Sequence, residues 1–265
     1  MNILETKQLT RRFGHLTAVD ELNISVQEGE IFGLLGPNGA GKTTTLKMLT
    51  TLLPPTNGTA LVAGFDIVHQ ARSVRRRIGY VPQLLSADGA LTGYENLLMF
   101  AKLYDIHGIE REGRIQQSLK LMQLEEASRK LVSTYSGGMI RRLEIAQSML
   151  HRPPILFLDE PTIGLDPLAR GSVWEHIRLL KSNFGTTIIL TTHYMEEADT
   201  LCSRVAIMHE GRIAAIGTPA ELKASLGGDE VTLDQVFAHY AGTELEIGGS
   251  FREISRTRRT ARRLG

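Results

Sequence analysis

Two apolar patterns alternate along this chain. Ile155-Leu156-Phe157-Leu158 and Thr187 to Thr191 are short continuous runs that break on polar residues, Asp159-Glu160 and Thr192-His193. Runs without a polar face fit strands covered on both sides, as in a parallel sheet. In open α/β sheets, ligands bind at the carboxyl ends of such strands. Other stretches recur at helical spacing. Leu46, Leu49 and Leu53 follow a glycine-rich loop. Met139, Leu143, Ala146 and Leu150 fall at i, i+4, i+7 and i+11, opposite a charged face of Arg141, Arg142 and Glu144. That predicts an amphipathic helix ending before Pro153-Pro154.

Further elements fill in around these. Asn2 to Leu9, Leu22 to Val26 and Glu30 to Leu35 read as strands, as do Thr59 to Val62 and Ile78 to Val81. From Asp88 to about Gln123 the pattern turns helical, predicting a helical insertion. Asp166-Pro167 is an N-cap with proline at the first helical position, opening a helix to about Ser182. Val205 to Met208 and Arg212 to Ala215 form a predicted hairpin, and Thr218 to Glu221 a capping box. The expected layout is a core over about 1–85 and 153–217, a helical insertion over about 86–152, and an extension over 218–265.

Composition narrows the class. With 42% hydrophobic and 22% charged residues, the chain can bury an ordinary globular core. No apolar stretch approaches the roughly 18 to 20 residues of a membrane-spanning helix. No basic-then-apolar leader is visible, so cytoplasmic residence is expected. The single cysteine, Cys202, excludes an intrachain disulfide and a multi-cysteine metal site. A net charge of +1 argues against a general nucleic-acid binder. That average hides an uneven distribution. Residues 250–265 hold six arginines against Glu253, and the preceding 249 carry a net of −4.

The chemistry starts at Gly36-Pro37-Asn38-Gly39-Ala40-Gly41-Lys42-Thr43, which fits G-x-x-x-x-G-K-[ST] between a predicted strand and a predicted helix. Glycines let backbone N–H groups turn around phosphate oxygens, and Lys42 adds a full charge for the β- and γ-phosphates. Thr43 offers a hydroxyl to Mg²⁺, and Thr44 follows it in the helix start. An Asn-Lys-x-Asp stretch for reading guanine does not occur. The strand end supplies two carboxylates with different expected roles: Asp159 holds Mg²⁺ through water, and Glu160 orients or deprotonates the attacking water. His193, at the other strand end, is a candidate for γ-phosphate contact.

Tyr135-Ser136-Gly137-Gly138-Met139, ahead of the amphipathic helix, resembles the signature sequence of the ATP-binding cassette (ABC) family. The resemblance covers about residues 2 to 240. It implies an α/β fold: a P-loop NTPase core with an N-terminal antiparallel β subdomain and an inserted α-helical signature subdomain. By the same resemblance Phe13 stacks on adenine, Gln83 is the glutamine between core and helical subdomain and a further Mg²⁺ ligand, and Gly164-Leu165-Asp166 crosses a dimer interface. Ser136, Gly137 and Gly138 would meet the γ-phosphate held by a partner cassette in a head-to-tail dimer. Thr192 to Asp199 and Val231 to Phe237 resemble the daunorubicin-type drug exporters and their polysaccharide- and lipid-exporting relatives.

What the resemblance implies is a subunit that binds ATP and Mg²⁺, hydrolyses ATP as a homodimer or paired cassette, and drives export through separate transmembrane permease subunits. It would sit peripherally on the cytoplasmic face of the membrane, docking through Leu91 to Leu98. For the arginine-rich tail the charge pattern favours a solvated end by about 3 to 1 over contact with anionic lipid. The alternatives are a soluble cassette ATPase not coupled to transport and a small-molecule kinase. The kinase leaves Ser136 to Met139 and His193 without a role.

Overall fold

The structure, a computed structural model, describes residues 1–227 and 231–240. The arginine-rich stretch 250–265, with the lipid contact considered for it, lies outside the described residues. Strands β1 (Asn2–Phe13), β2 (Leu16–Leu22) and β3 (Ser25–Gln27) precede β4 (Ile31–Leu35), which runs through the glycine loop into α1 (Lys42–Leu49). Next come β5 (Asn57–Val62), β6 (Phe65–Asp66), α2 (Ala71–Arg77) and β7 (Ile78–Val81). Helices α3 (Gly93–Leu103), α4 (Gly108–Leu121) and α5 (Gly137–Met149) separate β7 from β8 (Ile155–Asp159). The chain continues as α6 (Pro167–Phe184), β9 (Thr187–Thr192), α7 (Met195–Leu201), β10 (Arg204–His209), β11 (Arg212–Gly217), α8 (Pro219–Ala224) and α9 (Leu233–Tyr240).

One sheet has the order β11-β10-β4-β9-β8-β7, parallel apart from the antiparallel edge strand β11. The other joins β1, β2, β3, β5 and β6, all antiparallel. The central strands of the parallel sheet are apolar at almost every position because each face meets a different core. Ile31, Leu35, Leu156, Leu158, Ile188 and Leu190 pack toward α3, α5 and α6. Phe32, Leu34, Ile155, Phe157 and Ile189 pack toward α1 and the antiparallel sheet. Period-2 alternation thus assigns neighbours on one strand to opposite cores.

Three local readings differ from the sequence pattern. β1 continues past Leu9 to Phe13 and turns at Gly14, whose φ is +56°, so that Phe13 pairs with Leu16. The polar run Thr10-Arg11-Arg12 hid this hairpin, in which β1 also pairs with β3 and β5 while β2 is an edge strand. The arginine-rich α2 buries only Val74 and leaves no helical stripe to read. The charged face expected on α5 is not solvated: Arg141 and Glu144 are each 2% exposed.

Candidate functional site

The site lies where β4, β9, β8 and β7, neighbours in the parallel sheet, end side by side. β4 feeds the loop Gly36–Gly41. Gly41 takes a φ of +104°, and a Cβ there would stand 2.4 Å from the Ala18 carbonyl oxygen, so glycine is needed on both counts. The first-turn amides of α1 have no intrahelical acceptor and carry the helix's partial positive charge. Loop and helix wall a cavity of about 460 Å³ lined in part by Phe13, Asn38, Lys42, Thr43, Thr44, Gln83 and Glu160. Phe13 stands half-exposed at the hairpin tip, with the Arg11 guanidinium 4.6 Å from its ring centroid.

The polar groups at the floor converge on Glu160, which is 5% exposed. Lys42 Nζ lies 3.3 Å from its Oε1 and also donates to the carbonyls of Gly36 and Pro37 at 2.7 and 3.0 Å. Gln83 Nε2 donates to Glu160 Oε2 at 3.3 Å. His193 Nδ1 approaches the same oxygen at 3.2 Å, out of line for a hydrogen bond. Glu160 has a φ of +47°, a left-handed conformation that non-glycine residues seldom adopt. Its N–H is held by the carbonyl and the hydroxyl of Thr191 at 3.1 and 3.0 Å. Thr191 spans both carboxylate residues, since its hydroxyl donates to Asp159 Oδ1 at 2.7 Å. Thr43 donates to that oxygen from the other side at 2.9 Å.

These groups fit a divalent ion shared with a nucleotide. Among the described residues no cluster of three or more His, Cys, Asp or Glu is placed to cage a metal. A threonine hydroxyl, a carboxylate and an amide carbonyl are hard oxygen donors, the kind Mg²⁺ takes while its other positions go to phosphate and water.

The residues expected to act from a partner stand apart. Ser136, Gly137, Gly138 and Asp166 are not among the cavity's lining residues. Ser136 caps α5, accepting from the Met139 N–H at 3.3 Å, and Asp166 caps α6, accepting from the Ala169 N–H at 2.9 Å. The two starts pack together: a Cβ on Gly138 would stand 3.0 Å from the Ala169 Cβ, and one on Gly137 would stand 3.2 Å from Leu165 Cδ2. Ser136, Gly137 and Asp166 are exposed.

Sequence reasoning passed over Thr191, a threonine inside an apolar strand, and Glu197. Glu197 is fully buried and accepts from the Thr162 hydroxyl and the Trp174 indole, both at 2.8 Å. Burial raises its carboxyl above the ordinary carboxylate value, partly offset by bonds from Thr192, Trp174 and Thr162. Its only sequence signal was a second acid after His193.

Comparison with known proteins agrees with this geometry. A family model described as "ABC transporter" matches residues 19–163. The chain is 46% identical over 228 residues to the daunorubicin resistance ATP-binding protein DrrA2 of Streptomyces coeruleorubidus, covering 86% of this chain and 70% of that one. It is 44% identical over 228 residues to the Nod factor export ATP-binding protein I of Paraburkholderia xenovorans, covering 86% and 75%. An ATP-binding subunit of an ABC transporter superposes with a TM-score of 0.79 at 30% identity, covering 90% of this chain and 99% of that one. An ATP-binding cassette solved as a dimer in a post-hydrolysis state with ADP and Pi gives 0.72 at 27% identity, covering 81% and 98%.

Proposed function

This chain belongs to the ABC transporter family as an ATP-binding cassette, and on that premise we propose that it hydrolyses ATP to drive export of a drug-like, lipid or polysaccharide substrate through separate membrane subunits. The observation that carries the reading is the convergence of Lys42, Gln83 and His193 on the buried Glu160 beneath the phosphate loop. Phe13 would stack on the adenine. The loop amides and Lys42 would hold the β- and γ-phosphates. Thr43, Asp159 and Gln83 would hold Mg²⁺, which when bound neutralises charge developing on the phosphate oxygens.

Glu160 then takes the proton from the attacking water, which it can do only as a carboxylate with a free lone pair aimed into the cavity. Lys42 pairs with the carboxylate, Gln83 fixes its orientation, and His193 would contact the γ-phosphate oxygens. The second half of the site comes from another cassette. Ser136 and Gly137 open the 13-residue helix α5 at an exposed position with Gly138 buried behind them, supporting a head-to-tail pair in which this start meets the γ-phosphate of the partner copy.

Among the described residues no helix is long and apolar enough to cross a membrane. Leu91, Leu98, Met99 and Leu103 line an open groove of about 430 Å³ on α3, the proposed seat of a permease segment at the cytoplasmic face. The arginines of 250–265 would add attraction to anionic lipid, about 1 kcal/mol for each one near the surface. Lys42→Ala tests the nucleotide reading: an equilibrium titration should show ATP affinity lost, and parental affinity would overturn it.

A further inference from the structure

Helix α5 turns a polar stripe toward the strap that follows β7. Arg141, Glu144 and Gln147 recur every third residue, each 2% exposed. Arg141 donates from Nη1 to the Pro82 carbonyl at 2.7 Å and from Nη2 to the Gln83 carbonyl at 2.8 Å. Nη1 also pairs with Glu144 Oε2 at 3.0 Å. The other oxygen of Glu144 accepts from the Ser86 N–H, from the Ser86 hydroxyl at 3.1 Å and from the Ala87 N–H at 3.3 Å. Gln147 donates to Asn96 Oδ1 at 3.2 Å, and Asn96 accepts from the Asp88 N–H at 3.0 Å and donates to its carbonyl at 2.9 Å. The α5 face therefore holds the backbone at Pro82, Gln83, Ser86 and Ala87, and Asn96 of α3, tied to Gln147, holds it at Asp88. Between the ties Leu84 and Leu85 are 81% and 51% exposed.

A buried ion pair is a poor choice where stability alone is needed, because apolar residues of similar volume often do as well. What the pair adds is direction. A guanidinium fork and a two-oxygen carboxylate fix a loop's register as an apolar contact cannot. Burial pulls the Arg141 guanidinium below its ordinary value, and the charges of Glu144 and Asp159 oppose that pull.

We propose that Arg141 and Glu144 are positioning residues that fix the backbone on either side of Leu84-Leu85 and so hold Gln83 against Glu160. The inference rests on the reading of Glu160 as the base.

The test uses the full chain. Arg141→Met/Glu144→Met replaces the pair by apolar residues of similar length but leaves the strap's carbonyls and N–H groups without these partners, so the melting temperature should fall by several degrees while, in the folded protein, ATP affinity stays near parental and kcat falls at least about tenfold. Glu144→Gln, which keeps an amide oxygen for Ser86 and Ala87 but breaks the charge pair, should lower kcat less; it carries the test if the double variant does not fold. In a Gln83→Ala background, already slowed, the double variant should change kcat by less than about twofold, because both act through one side chain. Parental kcat in a folded double variant, or in Glu144→Gln, overturns the proposal; so does a full multiplicative loss in the Gln83→Ala background. Glu160→Gln run in parallel separates the two readings, since parental hydrolysis there removes the base assignment itself.

Discussion

Thr191→Val removes one oxygen from the middle of the site and almost nothing else. The side chains share a shape, and Thr191 is fully buried, so no solvent replaces the lost hydroxyl. Two bonds go: the 2.7 Å donation to Asp159 Oδ1 and the 3.0 Å acceptance from the Glu160 N–H. The second loss is cushioned, because that N–H keeps the Thr191 carbonyl at 3.1 Å. The first is not, since Asp159 is 1% exposed and keeps only Thr43 on that oxygen. A hydrogen bond to a charged group contributes about 1.5 to 3 kcal/mol, so the variant should lose about 2 kcal/mol. In a domain of this size that lowers the melting temperature by roughly 4 to 8 °C. Thr191 also aims the carboxylate assigned to Mg²⁺, and losing such a supporting bond typically costs 10- to 100-fold in metal affinity or activity. Calorimetry on the apo protein and hydrolysis rates across a Mg²⁺ titration measure both effects. Thr191→Ser, which restores the donor, should recover the Mg²⁺ dependence. An unchanged melting temperature together with parental Mg²⁺ dependence would refute the reasoning.

Two further outcomes follow from the same structure. Gly41→Ala should weaken ATP binding about 10- to 100-fold while the chain stays folded, because strain of this kind is about 1 to 3 kcal/mol and falls on the phosphate loop; isothermal titration measures it, and parental affinity would contradict the close approach to Ala18. His151 stacks on Tyr104 with centroids 3.8 Å apart, and its Nε2 lies 3.0 Å from the Ile78 carbonyl, where burial, with a smaller contribution from Arg114, lowers its pKa to about 4 despite that bond. The unfolded chain takes up a proton near pH 6.5 and the folded one only near 4, so stability should fall by about 3 kcal/mol as pH drops through that window. His151→Phe keeps the stacking and should lose that part of the slope in urea titrations; an identical slope would contradict the assignment.

The phosphate loop was legible because its chemistry is local: glycine freedom, a lysine and a hydroxyl are all needed within eight consecutive residues. The strand ends were legible because a buried parallel strand has no polar face, so Asp159 and His193 stand out where the apolar runs stop. Arg141 and Glu144 were misread for a physical reason. Helical period separates an apolar face from a polar one, but it cannot tell a polar face in water from one pressed against the carbonyls of Pro82 and Gln83. Thr191 was invisible for a related one. β-Branched threonine suits any strand, and its role exists only because β8 and β9 pair so that Asp159 stands opposite it.

The central claim is that Glu160 is the base of an ATP-hydrolysing, ATP-dimerised cassette. The most direct measurement is Glu160→Gln, followed by hydrolysis rate and by light scattering with ATP and Mg²⁺. Amide for carboxylate keeps the shape and the acceptor for Gln83 but removes the proton acceptor, so hydrolysis should fall by about 100-fold or more. ATP should still bind, and the dimer should accumulate because its release step is blocked. Parental hydrolysis, or a protein that stays monomeric with ATP bound, would contradict the account.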